Sequence, residues 1–169
     1  MAPGLHLIAL LGFAGLMAAA AIEDVRRLMI PNPLVLALCA LWPLRLATGA
    51  EASLAAGLVA VACAAAMFLA GAVAFARGLI GGGDVKLLSV AALWAGPDRV
   101  APLLVLTALI GGVLAVACLT PLGAWVGAWR RCAPNLGEAV AGTGSGAPVP
   151  YGVAIAVAAL IVTLGPSFG

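Results

Sequence analysis

The sequence predicts an all-α protein, a polytopic integral membrane bundle of about six transmembrane helices. Three observations point there. Of the 169 residues, 65% are hydrophobic and only 8% charged, with mean hydropathy +1.24. A soluble domain carries about 25% charged residues, so this chain has too few charges to coat a water-facing surface. Six apolar segments follow one another, with short polar connections. Strand-like alternation is absent, and an isolated strand cannot satisfy its backbone in lipid. No soluble segment interrupts the chain, and residues 1–169 read as a single membrane-embedded domain. The net charge of +2 gives no reason to expect a nucleic-acid partner; the expected surroundings are the lipid bilayer.

Residues 4–23 end in Ala18-Ala19-Ala20, like a signal-peptide cleavage site, but MAPGLH holds no Lys or Arg. Lacking that basic start, the segment is expected to be a retained span with its N-terminus outside. Residues 33–48 follow IPNP, Ile30 to Pro33, where Asn32 is expected to N-cap the helix with Pro33 at its first position. Residues 53–76 form a third span. Residues 85–96 form a fourth, short like the second against the roughly 20 residues of a full crossing. Residues 100–120 and 149–166 complete the set.

Alternating sides place Arg26, Arg27, Arg77, Lys86, Arg130 and Arg131 on one face and only Arg45 and Arg99 on the other. Basic residues favour the cytoplasmic side, so the six-charge face is expected there and both termini outside. Trp42 and Trp94 then fall near the outer interface and Trp125 and Trp129 near the inner one, as in aromatic belts. Pro134 to Pro148 reads as a mobile cytoplasmic loop. Cys39, Cys63 and Cys118 sit in apolar runs, Cys132 lies nearby in sequence to none of them, and no C-x-x-C spacing occurs. They read as small hydrophobes rather than metal ligands or a disulfide framework. His6, near the outer end of the first span, reads as interfacial.

The acids are Glu23, Asp24, Glu51, Asp84, Asp98 and Glu138. Glu51, Asp98 and Glu138 fall in connections, where a solvated charge needs no special role. Asp24 and Asp84 fall at the cytoplasmic ends of spans one and four, at the same depth. Ionisable groups at membrane depth are costly and by default point to function. Two carboxyls sharing a site cannot both ionise easily, which leaves one acid and one base near neutral pH. Such a pair activates water against a peptide carbonyl and protonates the leaving amine. The simpler alternative pairs Asp24 with Arg27, and Asp84 with Lys86, as interfacial salt bridges. Spacing i, i+3 permits the first; spacing i, i+2 disfavours the second. Gly81, Gly82 and Gly83 are poor helix residues that let a backbone bend or another chain approach, or simply connect two spans. Pro150, Tyr151 and Gly152 open the sixth span on the same side, shaping a site or merely starting a helix.

At these residues the chain resembles the type IV prepilin peptidases, a family of GxGD aspartic membrane proteases. The matching pieces are EDVRRLMIPNP with Asp24, GGGDVKLL with Asp84, and PYGVAIA from Pro150. The resemblance implies cleavage of a short basic leader from a prepilin, just before its hydrophobic helix, at the cytoplasmic face of a bacterial inner membrane. Asp24 and Asp84 would be the catalytic dyad and Gly81 and Gly83 the motif glycines. Lys86, Asn32, Pro150, Tyr151 and Gly152 would shape the substrate site. Larger members carry a cysteine-containing cytoplasmic insert associated with N-methylation. Here only about nine residues separate the first two spans, so the chain looks like the short form of Flp (Tad) pilus systems, and the resemblance lends methylation no support. No metal-ligand cluster or nucleotide motif occurs, and no cofactor is expected.

The same residues admit two alternatives, the first another GxGD intramembrane protease. In presenilin-like GxGD proteases the first aspartate follows a tyrosine within a span, whereas Asp24 follows Glu23 at a span end. A proton-coupled transporter or non-enzymatic pilus-assembly subunit is the second. A proton path needs acids along the bilayer, and spans two, three, five and six have none within their apolar runs.

Overall fold

A computed structural model of the chain describes residues 3–48, 53–119 and 149–165. These form six helices and, among the described residues, no strand: α1 (Pro3–Arg27), α2 (Asn32–Thr48), α3 (Leu54–Ala76), α4 (Gly82–Ala95), α5 (Pro97–Leu119) and α6 (Tyr151–Leu164). Each coincides with one apolar segment of the sequence. Glu51, Trp125, Trp129, Arg130, Arg131, Cys132, Glu138 and the 134–148 segment lie outside the described residues.

Local chemistry explains the helix ends. The Ser53 side chain accepts a hydrogen bond from the Ala56 N–H at 3.1 Å and caps α3. At the other end Gly78, with φ of 72°, closes α3 in a Schellman turn. Its N–H donates to the Phe75 carbonyl at 2.8 Å, and that of Leu79 to Ala74 at 3.0 Å. Gly96, with φ of 75°, lets α4 turn into α5 within one residue. The second helix starts one residue earlier than expected. The Leu34 N–H bonds to the Pro31 carbonyl at 3.1 Å, so Asn32 is the first helical residue rather than the cap.

Among the described residues, three helices are long and apolar enough to cross a bilayer: Gly4–Arg27, Leu54–Ala76 and Pro97–Cys118. Most of their surface is unburied by the rest of the chain. Leu58, Leu69 and Val73 of α3 and Leu109, Val113 and Val116 of α5 stand exposed, which suits lipid contact. The fourth helix is different. At 14 residues it is about 21 Å long, short of the roughly 30 Å hydrocarbon core. It packs against α2, α3, α5 and α6, and Ser89 to Ala95 form an unbroken buried run. The α6 helix packs on α1, α4 and α5 and is buried along much of its length.

Chain neighbours alternate in direction. Space for a side chain at Gly57, early in α3, is taken by Leu46 and Trp42, late in α2; at Gly71 and Gly82 α3 and α4 meet through Val85 and Phe75, and at Gly152 α6 meets Asp24 of α1. The C-terminal ends of α1 and α3 thus lie with the N-terminal ends of α4 and α6. At the opposite end, Trp94 departs from the expected interfacial belt: it is fully buried. Its indole stacks on Phe13 with centroids 4.4 Å apart, and its Nε1–H donates to the Leu38 carbonyl at 3.1 Å. With its one polar group satisfied inside, the ring gains more from core packing than from the interface. Trp42 sits half-buried at the core's edge. Cys39 is exposed, and Cys63 and Cys118 half-buried, all with free thiols, so they border the bundle rather than fill its centre.

Candidate functional site

The last turn of α1 delivers Asp24, which is 4% exposed. The helix ends just beyond it: the Leu28 N–H donates to the Asp24 carbonyl at 2.9 Å, and Leu28 takes the left-handed conformation at φ of 52°. A leucine there is strained by roughly 1 kcal/mol, and the turn sends the chain directly into IPNP. The Arg27 ion pair forms with Glu23 at 3.1 Å, one turn away on the exposed face, rather than with Asp24. The i, i+4 spacing is the better reach.

The GxGD stretch forms the start of α4, not a linker before it. Gly81, extended at φ −70° and ψ 142°, is the cap residue, and Asp84 lies in the first turn. A carboxylate in that place faces unpaired backbone N–H groups and the positive end of the helix dipole. The Asp84 Oδ2 lies 3.0 Å from where a Gly81 Cβ would stand, so any larger residue there crowds the carboxylate. At Gly83 the close neighbour is this chain's own Ile30, whose Cβ and backbone N lie 3.3 and 3.4 Å from a Cβ position. Gly82 is similarly faced by Phe75. These glycines let the IPNP segment and the end of α3 press on α4's first turn.

The third motif closes the site from α6. Pro150 is buried, and the Val153 N–H donates to its carbonyl at 3.2 Å. Gly152 is buried directly against Asp24: a Cβ on Gly152 would fall 2.8 Å from both Cγ and Oδ2 of Asp24. Tyr151 points elsewhere. Its ring packs on Gly111 of α5, where a Cβ would be 2.8 Å from Cε1, and the side chain is 44% exposed.

Lys86 acquires a partner that sequence spacing did not show. Its Nζ donates to Oδ1 of Asn32 at 3.0 Å, tying α4's first turn to the start of α2. The amide oxygen expected to cap α2 is thereby engaged by Lys86. A pairing between residues this far apart in sequence leaves no local signature, and only the shared end of the bundle hints at it.

Asp84 precedes the apolar run of α4, outside the three long apolar helices. Burial pushes its carboxyl from 3.8 up to about 6, the nearby Asp24 charge adds to the rise, and the Gly81 backbone amide opposes it. Raised this far, Asp84 holds its proton into the mildly acidic range, within electrostatic reach of the buried Asp24. The protonation belongs to the pair, and such a pair supplies one proton donor and one acceptor together.

The fold and site define an apolar helical bundle, suited to a membrane, with two carboxyls at one end, the charge of Asp24 being felt at Asp84. The sequence profile of the type IV leader peptidase family matches residues 11–116, and the chain belongs to that family. Membership makes it one of a membrane-bound group of proteases. Asp24, Asn32, Gly81, Gly83, Asp84 and Lys86 fall inside the matched segment; Pro150, Tyr151 and Gly152 follow it. Neither a curated protein nor a solved structure matches the chain.

Proposed function

We propose that this chain is an aspartic endopeptidase that removes the leader of type IV prepilins, of the Flp type, with Asp24 and Asp84 as its catalytic pair. The carrying observation is the convergence of α1, α4 and α6: buried Asp24 touches Gly152, and its charge reaches Asp84. In the reaction, the ionised carboxylate takes a proton from water as its oxygen bonds to the scissile carbonyl carbon. The protonated partner then gives its proton to the amine as the C–N bond breaks. The products are the leader's new carboxylate and the mature N-terminus. Gly81, Gly83, Asn32, Lys86, Pro150 and Gly152 form the surrounding walls, and Tyr151 holds the start of α6 against Gly111 of α5.

The basic residues Arg26, Arg27, Arg77 and Lys86 lie at the site's end of the described helices, and Arg45 and Arg99 at the other. That bias supports a site facing the cytoplasm from a bacterial inner membrane. The short 28–31 connection between α1 and α2 supports the short, Flp-associated form. The bilayer delivers the substrate's hydrophobic helix at the depth of its cleavage point.

The test uses purified full chain in detergent with an Flp-type prepilin, the product's N-terminus being read by mass spectrometry. Wild type should release the leader, while Asp24→Asn and Asp84→Asn should each lose about 10²–10⁴-fold in rate. Full cleavage by either variant refutes the dyad.

A further inference from the structure

The start of α6 stands against Asp24, and its own sequence does little to fix it. Pro150 precedes the helix and supplies no side-chain cap. The Tyr151 N–H donates to the Val149 carbonyl at 2.9 Å and the Val153 N–H to the Pro150 carbonyl at 3.2 Å. These are the bonds of a turn, and a first turn without a capping side chain frays. Yet Gly152, in that turn, lies so close to Asp24 that a Cβ would fall 2.8 Å from its Cγ and Oδ2. Whatever steadies the first turn of α6 therefore steadies one side of Asp24.

The restraint comes from α5. The Tyr151 ring lies over Gly111, where a Cβ would be 2.8 Å from Cε1 and 3.1 Å from Cδ1. The Ala154 Cβ is 3.7 Å from the same point. Ring and methyl, at i and i+3 on one face of α6, straddle a single glycine. The close approach is confined to that residue: a Cβ at Gly112, next in the chain, would have nothing within 4 Å.

We propose that Gly111 is a positioning residue for the peptidase reaction: its missing side chain seats the Tyr151 ring, the ring fixes the first turn of α6, and Gly152 of that turn holds Asp24 in place. The inference rests on the reading of Asp24 and Asp84 as the catalytic pair. Carbon atoms pack at about 3.5–4.0 Å, so a methyl at Gly111 obliges the ring to retreat by roughly 0.7 Å or more. The ring belongs to the residue next to Gly152, so the turn against Asp24 shares that retreat. Misplacing a reacting group by about 1 Å costs on the order of a hundredfold in rate, and a shared fraction of it costs less.

The experiment uses the purified full chain in detergent, with prepilin cleavage resolved into kcat and KM. Gly111→Ala should lower kcat about tenfold. Its KM should stay within about twofold of wild type, since a misplaced Asp24 impairs the reaction of bound substrate rather than its binding. Gly112→Ala adds the same carbon one residue along, in open space, and should leave both constants unchanged. The ring transmits the effect, so in a Tyr151→Ala background, itself slower because the turn has lost its seat, Gly111→Ala should cost less than about twofold more. If Gly111→Ala alone does not fold, that background carries the test. Tyr151→Ala should then show the lower kcat at an unchanged KM, and adding Gly111→Ala should lower it no further. Full kcat in Gly111→Ala, an equal loss in Gly112→Ala, or an undiminished loss without the ring would each overturn the proposal. Asp24→Asn and Asp84→Asn in the same assay judge the pair separately: inactive aspartate variants beside a fully active Gly111→Ala strike only the role of Gly111.

Discussion

At Gly152 a single added carbon meets the side chain of Asp24 at 2.8 Å, a separation real Cβ atoms do not tolerate. Gly152→Ala is therefore expected to displace the Asp24 carboxyl while leaving the bundle intact. Leader cleavage should fall about 10–100-fold with unchanged helix content by circular dichroism; unchanged cleavage would show that Asp24 has room to move without cost. Asp84 makes a second prediction. Its folded pKa of about 6 exceeds 3.8, so the folded state holds the proton more tightly than the unfolded chain. This group's unfavourable contribution to stability is absent below about 3.8, grows between the two values and is complete above about 6. Asp84→Asn should flatten the dependence of Tm on pH across that window. Wild-type cleavage should decline on the alkaline side with an apparent pKa near 6, a value of the pair. A rate flat from pH 5 to 8 would contradict this. Both acids were legible in the sequence because charge is scarce there. Which residue presses on each was not legible, because the contacts join helices whose order in sequence says nothing of their facing sides.

Among the elements, the first turn of α4 gains most from tertiary structure. Three successive glycines should start a helix badly, and the sequence suggests a linker up to Asp84. The structure starts α4 at Gly82 because packing by Ile30 and Phe75 needs those small residues and offsets their poor propensity. The Lys86–Asn32 bond fastens the same turn to α2. It is exposed, so its worth is about 0.5–1 kcal/mol. Lys86→Met and Asn32→Ala should each lower Tm by about 1–4 °C, and the double variant should lose little more than either alone. Full additivity in that cycle would mean that the two residues act separately. Helix existence and approximate limits were readable from six apolar segments. The one-residue shift at Asn32 was not, since Pro31 and Asn32 both suit a helix start.

At the scale of the molecule, the sequence conveyed the reversal of direction from α1 to α5, because the short connections between these helices force neighbours to turn back. It did not convey that Trp94 is central, for a tryptophan near a span end looks the same whether it faces lipid or Phe13. Orientation is open to a direct measurement. Cysteines placed at Arg77 and Asp98, in a chain whose native cysteines are replaced by serine, should react with a membrane-impermeant thiol reagent from opposite sides. Arg77→Cys should label from the cytoplasm and Asp98→Cys from outside; labelling of both from one side would overturn the proposed topology.

The contact between Asp24 and Gly152 also has a consequence in time. The chain is made from its N-terminus at about 5–20 residues per second, so roughly 6–25 s separate the synthesis of these two residues. In the later part of that interval α1 and α4 are both built, yet the wall against Asp24 does not exist. A ribosome-bound chain stopped before α6 therefore carries both acids and only part of their enclosure. Completion of the site is tied to arrival of the last described helix, and the growing chain stays without it through most of its own synthesis.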